Sequence, residues 1–436
     1  FTIPSGVTIT NNGTQTGFGR EGSVNWQTSI KTATFTAASG EGYFCNTSGG
    51  AFTINLPSSP SVGDIVAIKD YASSFNTQNL TIGRGGSNMN GSASNSVRNT
   101  NNESLTLVYS DATQGWLAVE EGTGFVGETF MEATGGTVTT SGDFKIHTFT
   151  GPGTFSVSAL GSSDSLNKVS YVVVAGGGGG GYDGGGGGGA GGYREGKNNP
   201  IDSYSASPLA AADSGLAVTA TNFPITVGAG SAGTTSATDT PQGSPSIFSS
   251  ITSAGGGGGG AGGGNGGYNV GNNGGSGSGG AGSYPASGDP GGSGNTPPVT
   301  PPQGNNGGFG AGFAYSLPGT GGGGGGATAV GVGGSGPTSP APTRGSGGAG
   351  ATSSINGTPT ARAGGGGGGG YTPIPGSTGP SAGGAGGGGA GGVNAPSQTG
   401  TAGTANTGGG GGAGSGGGAN AANGGSGIVI IRYKFQ

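Results

Sequence analysis

Side chains able to do bond-making chemistry are scarce in this chain. Among 436 residues there is one histidine, His147, and one cysteine, Cys45. A nucleophile needs a base oriented beside it, and His147 lies in a strand-like stretch with no Ser or Cys elbow nearby. Asp64, Asp70, Asp111, Glu120 and Glu121 could supply the carboxylate pair of a glycoside hydrolase, yet acidic residues in β-turns are far more often solvated surface. The single cysteine excludes an internal disulfide framework and a Cys-based zinc site. The glycine run 176–181 lacks the Lys-Ser/Thr ending that a phosphate loop requires. These residues predict a protein that is not an enzyme and holds no cofactor and no metal.

What remains is the chemistry of contact. Tyr, Phe and Asn on exposed loops, set among Ser and Gly, form the composition of antibody-type binding surfaces. The long joining segments of the C-terminal region carry such residues. The candidates are Tyr193, Arg194, Tyr204, Tyr268, Asn269, Tyr284, Phe309, Phe313, Tyr315 and Tyr371. Two roles are open to each aromatic, contact with a ligand or plugging the edge of the scaffold that carries it.

That scaffold must be unusual. Gly accounts for 118 residues, 24 of them before residue 171, leaving 118 − 24 = 94 after it. Charge divides at the same place: 7 Lys/Arg against 12 Asp/Glu before, 6 against 6 after. A disordered segment usually stays solvated through charge, which the C-terminal part lacks. No basic patch exists to neutralise phosphates, which disfavours nucleic acid as a partner. No apolar run approaches the roughly 20 residues that span a bilayer. Nor does a signal peptide stand at the start, and Phe1-Thr2-Ile3-Pro4 reads as the middle of a longer protein.

Turn residues and period-two alternation divide the chain. Residues 1–31 read as a β-rich connector and 32–121 as a small all-β module of sandwich or rolled type. Its strands lie at 34–36, 42–45, 52–56, 65–68, 80–82, 105–109 and 116–119. Residues 122–136 read as a linker. In 137–175, the stretches 144–150 and 154–158 suggest a β-hairpin about Gly151-Pro152-Gly153, followed by a strand at 168–175. Residues 176–436 form the glycine-rich domain. Its last strand, 428–434, should pair with 169–174 and close the domain on itself.

The glycine runs stand at 176–181, 184–189, 255–260, 321–326, 364–370, 386–389 and 408–412, several directly after a strand-like segment ending in Ala. Collagen needs Gly only every third residue, and in an α-helix each Gly costs about 1 kcal/mol relative to Ala. A flexible linker is the plain reading. The ordered alternative is the polyproline-II-type helix, with three residues per turn and every N–H and C=O pointing outward. Adjacent glycine rods have no side chains to hold them apart, so their backbones can hydrogen-bond from rod to rod. The recurring strand-to-glycine join, the similar run lengths and the strands bracketing the region favour ordered rods. The expected fold is all-β modules followed by stacked polyglycine-II helices closed by β-strands, with essentially no α-helix.

This arrangement resembles the tail-fibre adhesins of bacteriophages, on the strength of the pure-Gly runs, the loops between them and the strand 428–433. The β-module, with Gly42-Tyr43-Phe44, Leu56-Pro57, Gly63-Asp64-Ile65-Val66 and Gly115-Trp116, also looks like modules of phage fibres. The resemblance implies a virion protein of the distal tail fibre that binds a bacterial surface receptor, either a polysaccharide or an outer-membrane protein. A β-module in the same chain as the glycine domain departs from the separate monomeric caps of this type and implies a homotrimer. A non-adhesive structural protein is the alternative. An ice-binding protein would want a flat face of regularly spaced small residues and Thr.

Overall fold

The computed structural model describes residues 24–121, 128–211, 215–263, 269–282, 288–312, 319–336, 343–370, 380–393 and 396–436. It separates into two compact units, Phe1–Thr129 and Phe130–Gln436.

In the first unit, the first six strands alternate between two sheets. β1 (Asn25–Trp26), β3 (Glu41–Cys45), β5 (Ile65–Asp70), β8 (Ser104–Asp111) and β9 (Gly115–Glu121) make one; β2 (Phe35–Thr36), β4 (Phe52–Asn55), β6 (Leu80–Gly83) and β7 (Ser96–Arg98) make the other. The pairs β1–β3, β3–β5, β2–β4 and β4–β6 are parallel, so the chain coils from sheet to sheet before an antiparallel finish. Each strand presents alternate apolar residues inward, and Ile54, Leu56, Val66, Leu80, Ile82, Leu107 and Trp116 fill the space between. The strand at 25–26, assigned to the connector on sequence grounds, belongs to this unit.

The second unit begins inside the expected linker. Met131 is buried, and β10 (Glu132–Thr134) is a sheet member. A five-stranded sheet runs β10, β13 (Gly153–Ala159), β18 (Asn222–Thr226), β19 (Ser246–Phe248), β20 (Ile251–Ser253). A second sheet runs β11 (Thr137–Ser141), β12 (Phe144–Phe149), β23 (Ile428–Lys434), β14 (Lys168–Val174), β15 (Tyr193–Gly196), β16 (Ala210–Ala211). β17 (Leu216–Ala217) also pairs with β14, and a short 3-10 turn at Asp164–Asn167 is the only helical element among the described residues.

The expected hairpin between 144–150 and 154–158 is not formed. β12 is flanked by β11 and β23, whereas β13 lies between β10 and β18. The Gly151-Pro152-Gly153 segment carries the chain across the sandwich from one sheet to the other, and each strand finds better partners there. The closing pair is present: Tyr171 lies opposite Ile431 and Val173 opposite Val429, antiparallel. Both strands are covered on both faces, which is why 171–174 and 428–431 within them read as unbroken apolar runs. Val169, Tyr171, Val173, Val429, Ile431 and Tyr433 face Phe155 and Phe248 of the other sheet. Val172, Val174, Ile428 and Ile430 face the opposite way, toward Tyr193, Ala190, Ala327 and Ala363.

Beyond the sandwich the glycine runs are rods, with hydrogen bonds that rotate among neighbours every third residue, as three residues per turn requires. Rod 184–192 is the centre. Gly186 and Gly189 donate to Gly260 and Gly257, Gly187 and Ala190 to Gly322 and Gly325, and Gly188 and Gly191 to Gly411 and Gly408, at 2.8–3.0 Å. The same rod accepts from Gly178 and Gly181, from Ser276 and Gly279, and from Gly366 and Gly369. Its neighbours are therefore rods 176–181, 255–260, 276–282, 321–326, 364–370 and 408–414. They close into a ring through Gly256–Gly176, Gly257–Ser276, Gly325–Gly277, Gly324–Gly366, Ala413–Gly367 and Gly411–Gly178 bonds. At ~3.1 Å per residue the central rod is about 28 Å long.

The packing leaves no room for a side chain. A Cβ at Gly186, Gly187, Gly188 or Gly189 would overlap the carbonyl of Gly279, Gly366, Gly178 or Ser276 respectively. Rods with Ala, Ser, Thr and Asn form an outer layer and turn glycine inward. In 329–334, Gly331 faces Gly323 while Val330 and Val332 are exposed. Backbone hydrogen bonding replaces an apolar core, and an outer rod closes only its inward third to side chains, leaving outward positions such as Val330 and Val332 free to carry them.

Candidate functional site

The rods run back and forth between two unlike ends. One end abuts the sandwich: Ala175 donates to Gly192, Gly192 to Ala254, Ala327 to Ala363, and Gly427 to Gly228. Ser246 and Ser253 donate from their hydroxyls to the carbonyls of Val174 and Val173, at 2.7 and 2.8 Å, fixing the strand-to-rod joins. Strands β21 (Ala351–Ser353) and β22 (Thr360–Arg362) also sit at this end, where they flank residues of the sandwich face.

The opposite end is held by a separate chain of contacts. Gly262 donates to Tyr182, Asp183 to Ala419, Gly282 to Gly184, Gly321 to Gly369, and Gly416 to Gly370. Ala311 pairs with Thr320 and Thr320 with Gly370. The Thr320 hydroxyl donates to Ser335, whose N–H donates to Thr343. The described residues that border segments 264–268, 283–287, 313–318, 337–342, 371–379 and 394–395 thus all gather at this far end. Of the residues singled out for contact, Tyr268, Tyr284, Phe313, Tyr315 and Tyr371 lie outside the described residues, in segments whose borders meet there.

The other candidates divide. Phe309 is 58% exposed, two residues before Ala311 at the far end. Asn269 is largely buried near the same end, its carbonyl accepting from Ala281 at 2.8 Å. Arg194 is half-buried on β15 opposite Val173. Tyr193 and Tyr204 are not exposed loop residues, contrary to their sequence assignment: both are buried at the sandwich end.

Tyr193 is drawn inward because 193–196 pairs with β14 as a strand and points alternate residues at the core. Its hydroxyl donates to Glu195 Oε2 at 2.8 Å. Glu195 also accepts from the Ser207 N–H at 3.0 Å and, on Oε1, from the Ser353 hydroxyl at 2.6 Å. Burial, then Glu195, pushes the Tyr193 phenol well above its usual range and does the same to Tyr204. Tyr204 carries Lys197 and Arg432 against its ring, 5.3 and 5.7 Å from the centroid. Arg432 pairs with Asp202 at 2.9 Å, and Asp202 accepts from Ser170 at 2.8 Å. This buried network pins the 197–209 segment to the sheet. The sequence carried one sign of it, the alternation Tyr193-Arg194-Glu195; Ser353 and Asp202 carried none.

Of the carboxylates considered for catalysis, Glu120 and Glu121 lie in strand β9, and the three aspartates accept from backbone N–H groups of turns and loops. Asp64 Oδ2 accepts from the Ser61 N–H at 2.8 Å, and Asp111 Oδ1 from the Thr113 and Gln114 N–H groups at 2.7 Å. Asp70 is buried and accepts from the Asn102 N–H at 3.0 Å. His147 donates from Nδ1 to the Gly135 carbonyl at 2.7 Å and stacks on Tyr433; burial lowers its pKa. Among the described residues no group of three or more His, Cys, Asp or Glu could hold a metal ion, and no helix is long and apolar enough to cross a membrane. At the far end, Asp183 is buried and accepts from the Gly418 N–H at 2.9 Å, and Arg344, also buried, packs against Gly370.

Comparison with known proteins identifies one family: its model, described as a glycine-rich domain, matches residues 148–434. The match begins within β12 and ends at the last residue of β23, so it takes in the closing strand pair and every rod. No curated protein matches.

Proposed function

The chain belongs to this glycine-rich domain family, and from that premise we propose that it is a receptor-binding protein of a bacteriophage tail fibre, attaching to a bacterial surface through segments carried at the far end of the rod bundle. The observation that supports this reading is the polarity of the bundle. One end is closed by the sandwich, through Ser246, Ser253 and the alanine joins. The other end collects the borders of the Tyr- and Phe-bearing segments.

A lattice bonded through its backbone suits that task. Binding residues work best on loops held by a rigid support, and the interior rods, which have no room for side chains, leave sequence change to the joining segments and the outward positions of the outer rods. Assembly of several copies, as in a homotrimeric fibre, would add avidity to individually weak contacts. The fibre would stand outside the cell on the virion, with a surface polysaccharide or an outer-membrane protein as receptor.

Adsorption of the fluorescently labelled full chain to a panel of bacterial strains tests the reading. Replacement of 313–318 and 371–379 by Gly-Ser segments of equal length should abolish adsorption to the strains the intact chain binds, with the thermal melt unchanged. Undiminished adsorption of that variant, or no adsorption of the intact chain to any strain, refutes the proposal.

A further inference from the structure

The outer layer of rods carries a side-chain platform on the flank of the bundle, with Asn306 and Val330 toward the sandwich end, next to the Asn305–Gly326 and Gly326–Ala329 bonds, and Phe309 nearer the far end. Rods 305–311 and 329–335 lie side by side, with the Gly331 N–H donating to Asn306 O at 2.9 Å and the Gly334 N–H to Phe309 O at 2.8 Å. Because side chains recur on one side every third residue, Asn306 and Phe309 share a face, and Val330 and Gly333 continue it on the next rod. Phe309 lies against the Gly333 backbone, where any Cβ would collide with its ring, yet it remains 58% exposed. Val330 is 60% exposed. On the other flank, rod 288–294 is tied in by the Asn306 side chain, whose Oδ1 accepts from the Gly294 N–H at 2.8 Å, and Ser293 is exposed there.

Phe309 and Val330 stand in water on neighbouring rods, and exposed apolar side chains grouped together, unlike single ones, mark contact sites. Gly333 sharpens the point, since its missing side chain makes the space in which the Phe309 ring lies. The groups that line this face, Phe309, Val330, Asn306, Ser293 and Gly333, are all uncharged, so nothing in it matches an anionic polymer. An aromatic ring offers its surface to the C–H face of a pyranose, and adjacent amide and hydroxyl groups match sugar hydroxyls.

We infer that the face built by Phe309, Val330 and Asn306 is a binding subsite for a neutral sugar residue of a polysaccharide. The inference rests on the receptor-binding reading and names the receptor's chemistry. Affinity electrophoresis of the full chain through gels containing neutral polysaccharides (dextran, mannan, galactan) or anionic alginate provides the test. At least one neutral polysaccharide should retard the chain and alginate should not. Phe309→Ala should weaken that retardation about tenfold, while Phe309→Tyr, which keeps the ring, should retain it. Retardation by alginate alone, by no polysaccharide, or equally in Phe309→Ala and the intact chain overturns the inference. A chain that adsorbs to cells through the replaced segments yet shows no neutral-sugar retardation sinks the subsite and leaves the receptor-binding reading standing. Loss of segment-dependent adsorption does the reverse.

Discussion

Gly188→Ala, at the middle of the central rod, tests the lattice most directly. The added Cβ would overlap the carbonyls of Gly178 and Gly179. The central rod cannot move away, because it is bonded to neighbours on every side. Relief comes only by opening the seam to rod 176–181, which strains or breaks the Gly178–Gly189 and Gly181–Gly186 hydrogen bonds. Each buried backbone group left unpaired costs about 1–3 kcal/mol, so breaking one of these bonds, which strands a donor and an acceptor, costs roughly 2–6 kcal/mol. The alanine stabilises by about 0.4–1 kcal/mol through the unfolded chain, which leaves a net loss of roughly 1–5.6 kcal/mol. Gly336→Ala is the control, since a Cβ there meets nothing closer than the Ala311 methyl at 3.8 Å. Its effect should lie within about 0.5 kcal/mol of neutral or be slightly stabilising. Urea unfolding monitored by hydrogen exchange at the rod amides compares the two. If Gly188→Ala costs less than about 1 kcal/mol, the rods are not packed backbone to backbone and the scaffold argument fails.

Two further perturbations probe the sandwich end. Arg432→Met should destabilise the second unit by about 3–5 kcal/mol in a denaturant melt, because it strips the buried Asp202 of its partner; Arg432→Met with Asp202→Leu should recover much of that loss. His147 is held neutral by burial, so its folded pKa lies below the ordinary 6.5. The unfolded chain then binds the extra proton first, and stability should be constant above about pH 7 and decline as pH falls below 6.5. His147→Gln should flatten that slope in melts taken between pH 7 and pH 5, and an unchanged slope would remove His147 as its source.

Much of the architecture was legible along the chain. Unbroken apolar runs at 171–175 and 428–431 announced central strands, since a strand covered on both faces can be apolar at successive positions. Pure glycine announced the interior rods, and the runs 176–181, 184–189, 255–260, 321–326, 364–370 and 408–412 supply the centre of the lattice and five sides of its ring. The remaining side, 276–282, escaped because Ser276 and Ser278 interrupt its glycine, and Ser278 finds room by donating to Gly258 O at 2.6 Å. Run 386–389 looked equivalent and lies in the outer layer, bonded to rods 364–370 and 398–404.

The sequence by itself determined the building units, because strand alternation and side-chain-free backbone are local properties. Only the tertiary structure decided which units touch. The turn at 151–153 suits a hairpin or a crossover, and the choice fell to the flanking strands β11, β23, β10 and β18, of which β23 comes from the opposite end of the second unit's chain. Tyr193 and Phe309 sit in similar Gly-flanked contexts, yet one is buried and the other exposed. The difference is that 193–196 pairs with a central strand, whereas Phe309 occupies the outward third of an outer rod. A three-residue helix presents three identical faces along its length, and only its neighbours determine which face meets solvent.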